Sequence, residues 1–489
     1  MDCLISAISD PGTIAGIDPA GDENGFRQHA DMTTLPKATD NLLGRRVALG
    51  SMFGLAAAGV ASTTSATPSG QAGMPLRITP GRRYLEDASG KPFLIHGDSA
   101  WSLIAQLRME EVEIYLADRK ARGFNTLLVS LIEHCFARNA PANAYGNPPF
   151  LMPGDYATLN ESYFAHADRV LKRAAQLGFL MLVTPSYIGA GGGDEGWYQL
   201  MMENGPEKLR QYGMTIGQRY RSLGNILWVH GGDYNPPDRR LVSAIAEGIR
   251  QADNLALHTA HCAPETAALD EWAEESWLQV NTIYTYQPVH AAALAQWARP
   301  EAMPFFLVES TYENEHGVTE QRLRTQAYQA LLCGAAGQIF GNNPIWHFDT
   351  PGAREAPVTW RQALDSRGTQ SMTHLRKLFA QFPWWLLEPD LRKHLVTDAG
   401  GPERDHVVAA SAVGGDFAIL YFSSLHDIEV DLRRLRGPRV LARWYDPAIG
   451  VFSEGNGEPM RASRTVKFQP PGENDAGFTD WILVLQSYA

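Results

Sequence analysis

Eight short apolar runs alternate with helix-like stretches, and this rhythm limits the possible folds more than any other feature of the chain. The runs are FLIHGDSAW (93–101), FNTLLVSLIEH (124–134), FLMLVTPSY (179–187), NILWVHGGDYN (225–235), LALHTAHC (255–262), VNTIYTYQ (280–287), PFFLVESTYE (304–313) and GQIFGNNPIWHF (337–348). Such continuous apolar runs are typical of parallel strands that are covered on both faces. We therefore predict an α/β fold, a closed (β/α)8 TIM barrel.

The stretches between these runs carry helix start and stop signals. Residues 109–123 begin with acidic side chains and end with Lys, Arg and a glycine. Asn160 and Thr319 precede two further amphipathic stretches as predicted N-caps. A doubly wound open sheet is the alternative, but it usually has fewer strands and often a phosphate loop. No P-loop occurs in the chain, and the glycine-rich segment at residues 189–193 does not open a helix after a phosphate-binding fingerprint.

Composition excludes several classes of protein. Of the 489 residues, 44% are hydrophobic and 20% are charged, which favours a folded globular chain. The net charge of −12 argues against a general nucleic-acid binder, which needs a basic face. The four cysteines, at positions 3, 135, 262 and 333, form no CxxC or zinc-ligand spacing, so we expect no disulfide framework.

Residues 1–72 are predicted to be an export signal with a disordered leader. Arg45-Arg46 precede a modest apolar run over 47–61, and small residues follow up to Ala66. The arginine pair resembles a twin-arginine signal, which predicts a periplasmic or secreted protein. The apolar run is shorter than the ~20 residues of a membrane span, so we expect no stable membrane insertion after cleavage. Translation could start at Met1 or at Met32.

The pattern changes after the barrel. We assign residues 73–391 to the barrel and residues 392–489 to an accessory domain. In the latter, short alternating strands are separated by Gly, Pro and Asp turns, which predicts a small C-terminal β-sandwich.

Polar residues follow the apolar part of several runs, where a barrel places its active site. Asp233 in the fourth run and Glu309 in the seventh each follow strongly apolar residues. Strands four and seven lie on roughly opposite sides of an eight-stranded barrel, so the two carboxyls could flank one glycosidic bond. We expect the negative charge of Glu309 to keep Asp233 protonated. The alternative is structural: Asp233 caps a loop and Glu309 pairs with an arginine.

Other polar and aromatic residues in these runs are predicted to bind substrate. They are Asp98, Trp101, Glu133, His134, His230, Asn235, Tyr286, Asn342 and Trp346. Glu313 and Glu315 are expected in a solvated loop. A metal held by His230, Asp233 and His261 has no supporting HxH or HExxH spacing, so we expect neither a metal nor a cofactor.

Several of these motifs together resemble the apiosidase-like barrel family, which includes glycoside hydrolase family 140. They are ITPGRRYLEDASGKPFLIHGDSAWSL, GFNTLLVSL, NILWVHGGDYNP, PFFLVESTYE and GQIFGNNPIWHF, within residues 75–385. The resemblance implies a retaining glycosidase with Asp233 as acid/base and Glu309 as nucleophile. It also implies a furanosyl or related branch sugar of plant polysaccharide as substrate. Gly232-Asp233 stands where the broader clan usually has Asn-Glu.

The segment ARWYDPAIG resembles a motif of the sandwich domain that follows this barrel family, a domain sometimes labelled collagen-binding. We expect this domain to buttress the barrel or to bind carbohydrate. Two other functions remain open at this stage. A non-catalytic carbohydrate-binding barrel is disfavoured by the presence of both carboxylates, and an esterase by the absence of a GxSxG elbow.

Overall fold

The computed structural model describes residues 73–300, 302–397, 399, 406–453 and 458–488. The predicted leader, residues 1–72, lies outside the described residues. The strands are β1 (Arg77–Ile78), β2 (Leu85–Glu86), β3 (Pro92–Phe93), β4 (Ile95–Ser99), β5 (Thr126–Ser130), β6 (Leu180–Thr184), β7 (Ile226–Gly231), β8 (Leu257–His261), β9 (Asn281–Tyr284), β10 (Phe305–Glu309), β11 (Gly337–Phe340), β12 (Leu387–Pro389), β13 (Val408–Ala412), β14 (Phe417–Phe422), β15 (Ile428–Asp431), β16 (Arg439–Asp446), β17 (Val451–Phe452), β18 (Met460–Arg461), β19 (Thr465–Phe468) and β20 (Trp481–Tyr488).

The helices are α1 (Leu103–Gln106), α2 (Met109–Ala121), α3 (Glu161–Gln176), α4 (Tyr198–Tyr220), α5 (Arg239–Ala252), α6 (Ala268–Trp272), α7 (Val289–Trp297), α8 (Glu320–Leu332), α9 (Trp360–Ala363) and α10 (Arg367–Phe379). Short 3₁₀ turns occur at Ala190–Gly192, Trp384–Leu386 and Leu432–Arg434. In the described part of the chain, no helix is both long enough and apolar enough to span a bilayer.

Eight parallel strands form the predicted barrel, in the order β8-β7-β6-β5-β4-β11-β10-β9. The closing seam lies between β8 and β9. There Thr259 Oγ1 donates to Val280 O at 2.6 Å, and Thr282 Oγ1 donates to Ala260 O at 2.5 Å. The fold class is confirmed, and each of the eight predicted runs contains one barrel strand.

Alternation along the strands divides the core in two. Leu128, Leu182, Val229, Phe306 and Ile339 fill the barrel interior. Their strand neighbours point outward into a larger cluster that is shared with the helices. A side chain reaches the mouth of the barrel, therefore, only if it has the inward parity at the carboxyl end of its strand.

The two predicted N-caps are confirmed. Asn160 accepts a hydrogen bond from the backbone N of Ser162 at the start of α3. Thr319 accepts one from the backbone N of Arg322 at the start of α8. Each cap satisfies a backbone donor that has no partner inside its helix.

The C-terminal region consists of two antiparallel sheets, one of seven strands with the path β12-β13-β14-β20-β16-β17 and one formed by β15 and β19. Leu420, Val430 and Leu483 are among the residues of a second core between the sheets. The opposite face of the larger sheet, including Ile419 and Tyr421, packs with the barrel cluster. Because β12 already belongs to this sheet, the sheet begins before the predicted boundary at residue 392.

Candidate active site

The chain bends sharply where β7 ends, and this bend presents Asp233 at the barrel mouth. Gly231, Gly232 and Asp233 have φ values of 91°, 132° and 47°. A Cβ on Gly231 would lie 2.5 Å from the carbonyl oxygen of His261, and one on Gly232 would lie 2.2 Å from Cδ2 of Tyr187. Both positions therefore require glycine. Asp233 occupies the left-handed region without being glycine, a backbone feature that is concentrated at functional sites.

Glu309 reaches the interior because β10 contains a bulge. Phe305 and Leu307 point outward to the helices, and simple alternation would send Glu309 the same way. The register against β9 shifts between Leu307, which pairs with Ile283, and Glu309, which pairs with Tyr284. A bulge of this kind re-aims the side chain that follows it. Glu309 therefore lies in the barrel with 8% of its surface exposed.

His261, the last residue of β8, lies between the two carboxylates. Its Nε2 is 2.7 Å from Glu309 Oε2, and its Nδ1 is 3.5 Å from Asp233 Oδ1. The backbone N of Asp233 is 3.3 Å from the same Nδ1. One atom from each of the three side chains lies within 4.8 Å of the others. The imidazole thus joins two acids that are 76 residues apart in sequence (309 − 233).

The electrostatics of this trio favour a proton on Glu309 or His261. Burial and then the charge of Asp233 raise the pKa of Glu309 to about 7, although His261 opposes the change. Burial lowers the pKa of His261, but the hydrogen bond to Glu309 and the two carboxylate charges outweigh it, so its pKa is raised. Burial thus favours the protonated form of Glu309. Asp233 lies nearer the solvent, with 23% of its side chain exposed.

Aromatic side chains form the wall around the trio. Tyr187 donates a hydrogen bond from its hydroxyl to Asp233 Oδ2 at 2.7 Å. The ring of Trp101 lies 5.6 Å from those of Tyr187 and His261, and its Nε1 donates to the hydroxyl of Tyr312 at 3.2 Å. Burial and Asp233 raise the pKa of Tyr187, so this phenol remains a neutral donor. The wall thus surrounds the buried Glu309 and His261 and holds the more exposed Asp233 in place.

Three predicted binding residues besides Trp101 lie on or beside this wall. Tyr286 is hydrogen-bonded to Tyr284 at 2.7 Å between their hydroxyls, and the charge of Glu309 contributes to raising its pKa after burial. Trp346 packs against the interior cluster and donates from Nε1 to Glu315 at 3.1 Å. Asn235 joins the loop after β7 to the loop after β8, because its amide contacts Thr266 and the backbone of Ala263.

Two predicted site residues point away from the mouth. Asp98 is fully buried and accepts hydrogen bonds from Tyr115 at 2.7 Å and Arg119 at 3.1 Å, both on α2. His230 is buried against His258, with Nε2 2.8 Å from its Nδ1. In β4 and β7 the inward-facing residues are the sequence neighbours of Asp98 and His230; Val229, beside His230, is one of them. We therefore correct the prediction that these two residues bind substrate, because they attach the barrel strands to the outer layer.

The remaining predicted residues hold loops. Glu133 is buried and accepts from the backbone N of His134 at 3.0 Å, from that of Phe136 at 3.2 Å, and from Ser102. The ring of His134 packs edge-on against Trp197 at 4.8 Å. Asn342 is fully buried and donates to Glu313 at 2.7 Å. None of these contacts involves the three residues that meet at the mouth.

The expectation that Glu313 and Glu315 lie in a solvated loop is wrong. Glu313 is 7% exposed and binds the start of α10 through Ser366 and the backbone N of Gly368. Glu315 receives Trp346 Nε1 and lies 3.5 Å from Arg354. These partners stabilise a carboxylate in a place where it would otherwise be costly to bury.

Sequence reasoning missed two residues of the site. The sequence indicates His261 only as a ligand of a disfavoured metal site, and it indicates no role for Tyr187. A signal for His261 exists: Leu257 faces the interior, so the period of two along β8 also directs Thr259 and His261 inward. Among the described residues, Asp233, His261 and Glu309 also form the one set that could hold a metal ion. Such an ion would have to displace the hydrogen bond between His261 and Glu309.

Residues 79–386 match the family model described as "Apiosidase-like, catalytic domain", and residues 389–486 match "Putative collagen-binding domain of a collagenase". Among curated proteins the chain finds no match.

Two solved structures share the fold. One is a glycoside hydrolase family 5 protein from Bacteroides vulgatus ATCC 8482, with 22% identity and a TM-score of 0.74, covering 84% of this chain and 94% of that one. The other is described as a glycoside hydrolase, with 23% identity and a TM-score of 0.73, covering 85% and 97%.

Proposed function

We propose that this chain, which belongs to the apiosidase-like family of glycoside hydrolases, cleaves a glycosidic bond with retention of configuration. In this proposal Glu309 is the nucleophile and Asp233 is the acid/base. The observation that carries it is the approach of the two side chains, with one oxygen of each within 4.8 Å of the other. Retaining enzymes have carboxyls about 5–5.5 Å apart, whereas inverting enzymes need about 6.5–9.5 Å to admit a water.

The first step forms one bond and breaks another. The reactive form of the site has Glu309 ionised and Asp233 protonated. In it a Glu309 oxygen attacks the anomeric carbon while the glycosidic oxygen departs with the proton of Asp233. His261 Nε2–H, 2.7 Å from Glu309, stabilises the ionised nucleophile. Tyr187 and the bend at Gly232 keep Asp233 in place at the mouth.

The second step releases the sugar. Asp233, now ionised, takes a proton from a water that attacks the same anomeric carbon, and Glu309 leaves as a carboxylate. The oxygen from water ends on the sugar, and both carboxyls return to their starting protonation. No redox partner or cofactor enters this balance.

The substrate class and the location are proposed on the basis of the family and of the leader sequence. We propose a furanosyl or related branch sugar on plant-type polysaccharide, supported by membership of the apiosidase-like family. The Trp101 and Trp346 rings at the mouth would stack on sugar faces. We further propose export to the periplasm or beyond through the twin-arginine segment at Arg45-Arg46.

The test is a hydrolysis screen on plant and bacterial oligosaccharides, with the anomer of the first product followed by NMR. We expect retention, and we expect loss of turnover in Asp233→Asn and Glu309→Gln but not in the control Glu274→Gln, an exposed acid on another surface. Asp233→Gly should be partly rescued by azide, because glycine tolerates the φ of 47° at this position. Inversion, or turnover that survives in Glu309→Gln, would refute the mechanism. Binding without hydrolysis in the unaltered chain would indicate a carbohydrate-binding barrel instead.

A further inference from the structure

A second pocket, with a volume of about 240 Å³, lies at the opposite end of the barrel from the acids. Gly334 and Ala335 line it, and they directly precede β11, so the pocket is at the amino ends of the strands. Asp233 follows β7 and Glu309 ends β10, so both acids lie at the carboxyl ends of the strands. The pocket is therefore separate from the site described above.

Three tryptophans form much of this pocket. Trp297 ends α7, and Trp384 and Trp385 lie in the 3₁₀ turn between the barrel and the C-terminal sheets. All three are half-buried. The rings of Trp384 and Trp385 are nearly perpendicular, at 89° with centroids 6.1 Å apart. The pocket thus offers flat aromatic faces in more than one orientation.

Arg83 supplies a positioned donor in the same pocket. Its guanidinium carbon lies 4.4 Å from the ring centroid of Trp297, and its Nη2 donates to the carbonyl of Arg299 at 3.4 Å. Its Nη1 is buried and has no hydrogen-bond partner among the described residues. A buried donor without an acceptor is unfavourable, and a ligand oxygen would satisfy it. Stacking on Trp297 fixes the direction in which that donor points.

We infer that this pocket is a second carbohydrate-binding site, in which one sugar ring stacks on a tryptophan. An oxygen-bearing substituent of that sugar accepts a hydrogen bond from Arg83 Nη1. Small-molecule sites combine aromatic walls with a few placed polar groups, as this pocket does. The pocket volume is below the ~300–1,000 Å³ of pockets that bind drug-sized ligands, so the pocket suits a single sugar ring of a longer chain. The acceptor is a hydroxyl of a neutral sugar or a carboxylate of an acidic one. The inference does not depend on the catalytic roles of Asp233 and Glu309.

The test measures binding by calorimetry in the full chain carrying Glu309→Gln, so that the probes are not consumed. The probes are cellohexaose, arabinohexaose and trigalacturonic acid. Into this background we would introduce Arg83→Met, which keeps the stem but removes the donor, and Trp385→Ala. Arg240→Met, an exposed arginine on α5, is the matched control. Thermal unfolding of each variant identifies any that fail to fold. If Trp385→Ala fails to fold, Trp385→Phe replaces it, because phenylalanine keeps a flat ring at this position.

We expect at least one probe to lose tenfold or more in affinity in both Arg83→Met and Trp385→Ala, with Arg240→Met unchanged. Loss for trigalacturonic acid alone identifies a carboxylate partner, and loss for a neutral probe identifies a hydroxyl. Equal affinity in all the folded variants overturns the inference, as does a lack of binding by all three probes. Either failure would leave the hydrolysis results for Asp233 and Glu309 unaffected.

Discussion

His261 donates from Nε2 to Glu309 Oε2 at 2.7 Å while its Nδ1 faces Asp233 Oδ1 at 3.5 Å. One imidazole is thus in contact with both acids of the site. Its raised pKa and that of Glu309, about 7, have a common origin in burial and mutual charge. The protonation of Glu309 is therefore tied to that of the imidazole.

Replacing His261 by Phe should shift the pH dependence of turnover. The hydrogen bond and charge of His261 both lower the pKa of Glu309, so without them that pKa rises above about 7. Because the proposed nucleophile must be ionised, the acid limb of kcat/KM moves to higher pH. If the pKa of Glu309 rises by one unit, the ionised fraction of Glu309 at a pH below that pKa falls to about one tenth. The measurement is the pH profile of kcat/KM, with the exposed His394→Phe as control. An acid limb at the original pH would contradict this role.

Glu309→Gln should make the protein more stable relative to the unaltered chain as the pH rises. The usual pKa of Glu309 is 4.5 and its folded pKa is about 7, so the unfolded chain releases this proton first. The contribution of Glu309 to the stability of the unaltered chain therefore falls between about pH 4.5 and 7 and then levels off. The raised pKa of His261 acts in the same direction at higher pH, and it depends partly on Glu309. Urea midpoints at pH 5 and pH 8 measure the difference. The exposed Glu274→Gln should show no such gain, and a Glu309→Gln difference that does not change with pH would rule out the raised pKa.

Tyr187→Phe should lower kcat with little effect on stability. The ring remains in the wall while the 2.7 Å hydrogen bond to Asp233 is lost. A hydrogen bond to a charged group contributes about 1.5–3 kcal/mol, which corresponds to roughly ten- to hundredfold in rate. Steady-state kinetics and the melting temperature test this together. Tyr488→Phe, exposed on β20, is the control, and a Tyr187→Phe enzyme with normal kcat would show that the phenol does not position Asp233.

Gly232→Ala should reduce activity more than Tyr187→Phe does. The added Cβ would lie 2.2 Å from Tyr187 Cδ2, so the ring must move and Asp233 loses its donor. The φ of 132° adds backbone strain. Gly317→Ala separates the two effects, since Gly317 has a φ of 65° but nothing within 4 Å of its added Cβ. Equal activity in the two alanine variants would mean that the clash with Tyr187 is unimportant.

The strand rhythm was sufficient to predict the barrel, but the parity within each strand decided which residues reach the mouth. Treating each run as uniformly apolar obscured the alternation that places Val229 inward and His230 outward, and the same alternation removes Asp98 from the site. The period of two along β4 and β7 is therefore the sequence signal that separates these two residues from the site.

Other features of the site were not predictable from local sequence. Glu309 has the outward parity of Leu307 and is turned inward by a bulge, which depends on its register against β9. The meeting of Asp233, Tyr187 and His261 depends on how the ends of three strands come together in space. No spacing within one run encodes such contacts.

Asp480→Ala should destabilise the chain strongly, because it removes one partner of a buried ion pair between the barrel and the C-terminal sheets. Arg324 on α8 contacts both oxygens of Asp480, at 2.7 and 2.8 Å, and the two side chains are 1% and 0% exposed. An uncompensated buried arginine costs about 3–5 kcal/mol. Denaturant unfolding measures the loss, and Arg324→Met combined with Asp480→Leu should recover part of it, since an apolar pair leaves no charge behind. Asp416→Ala breaks the exposed pair with Arg436 and should change the unfolding free energy by less than about 1 kcal/mol. Similar losses in Asp480→Ala and Asp416→Ala would show that the buried pair contributes no more to stability than the exposed one.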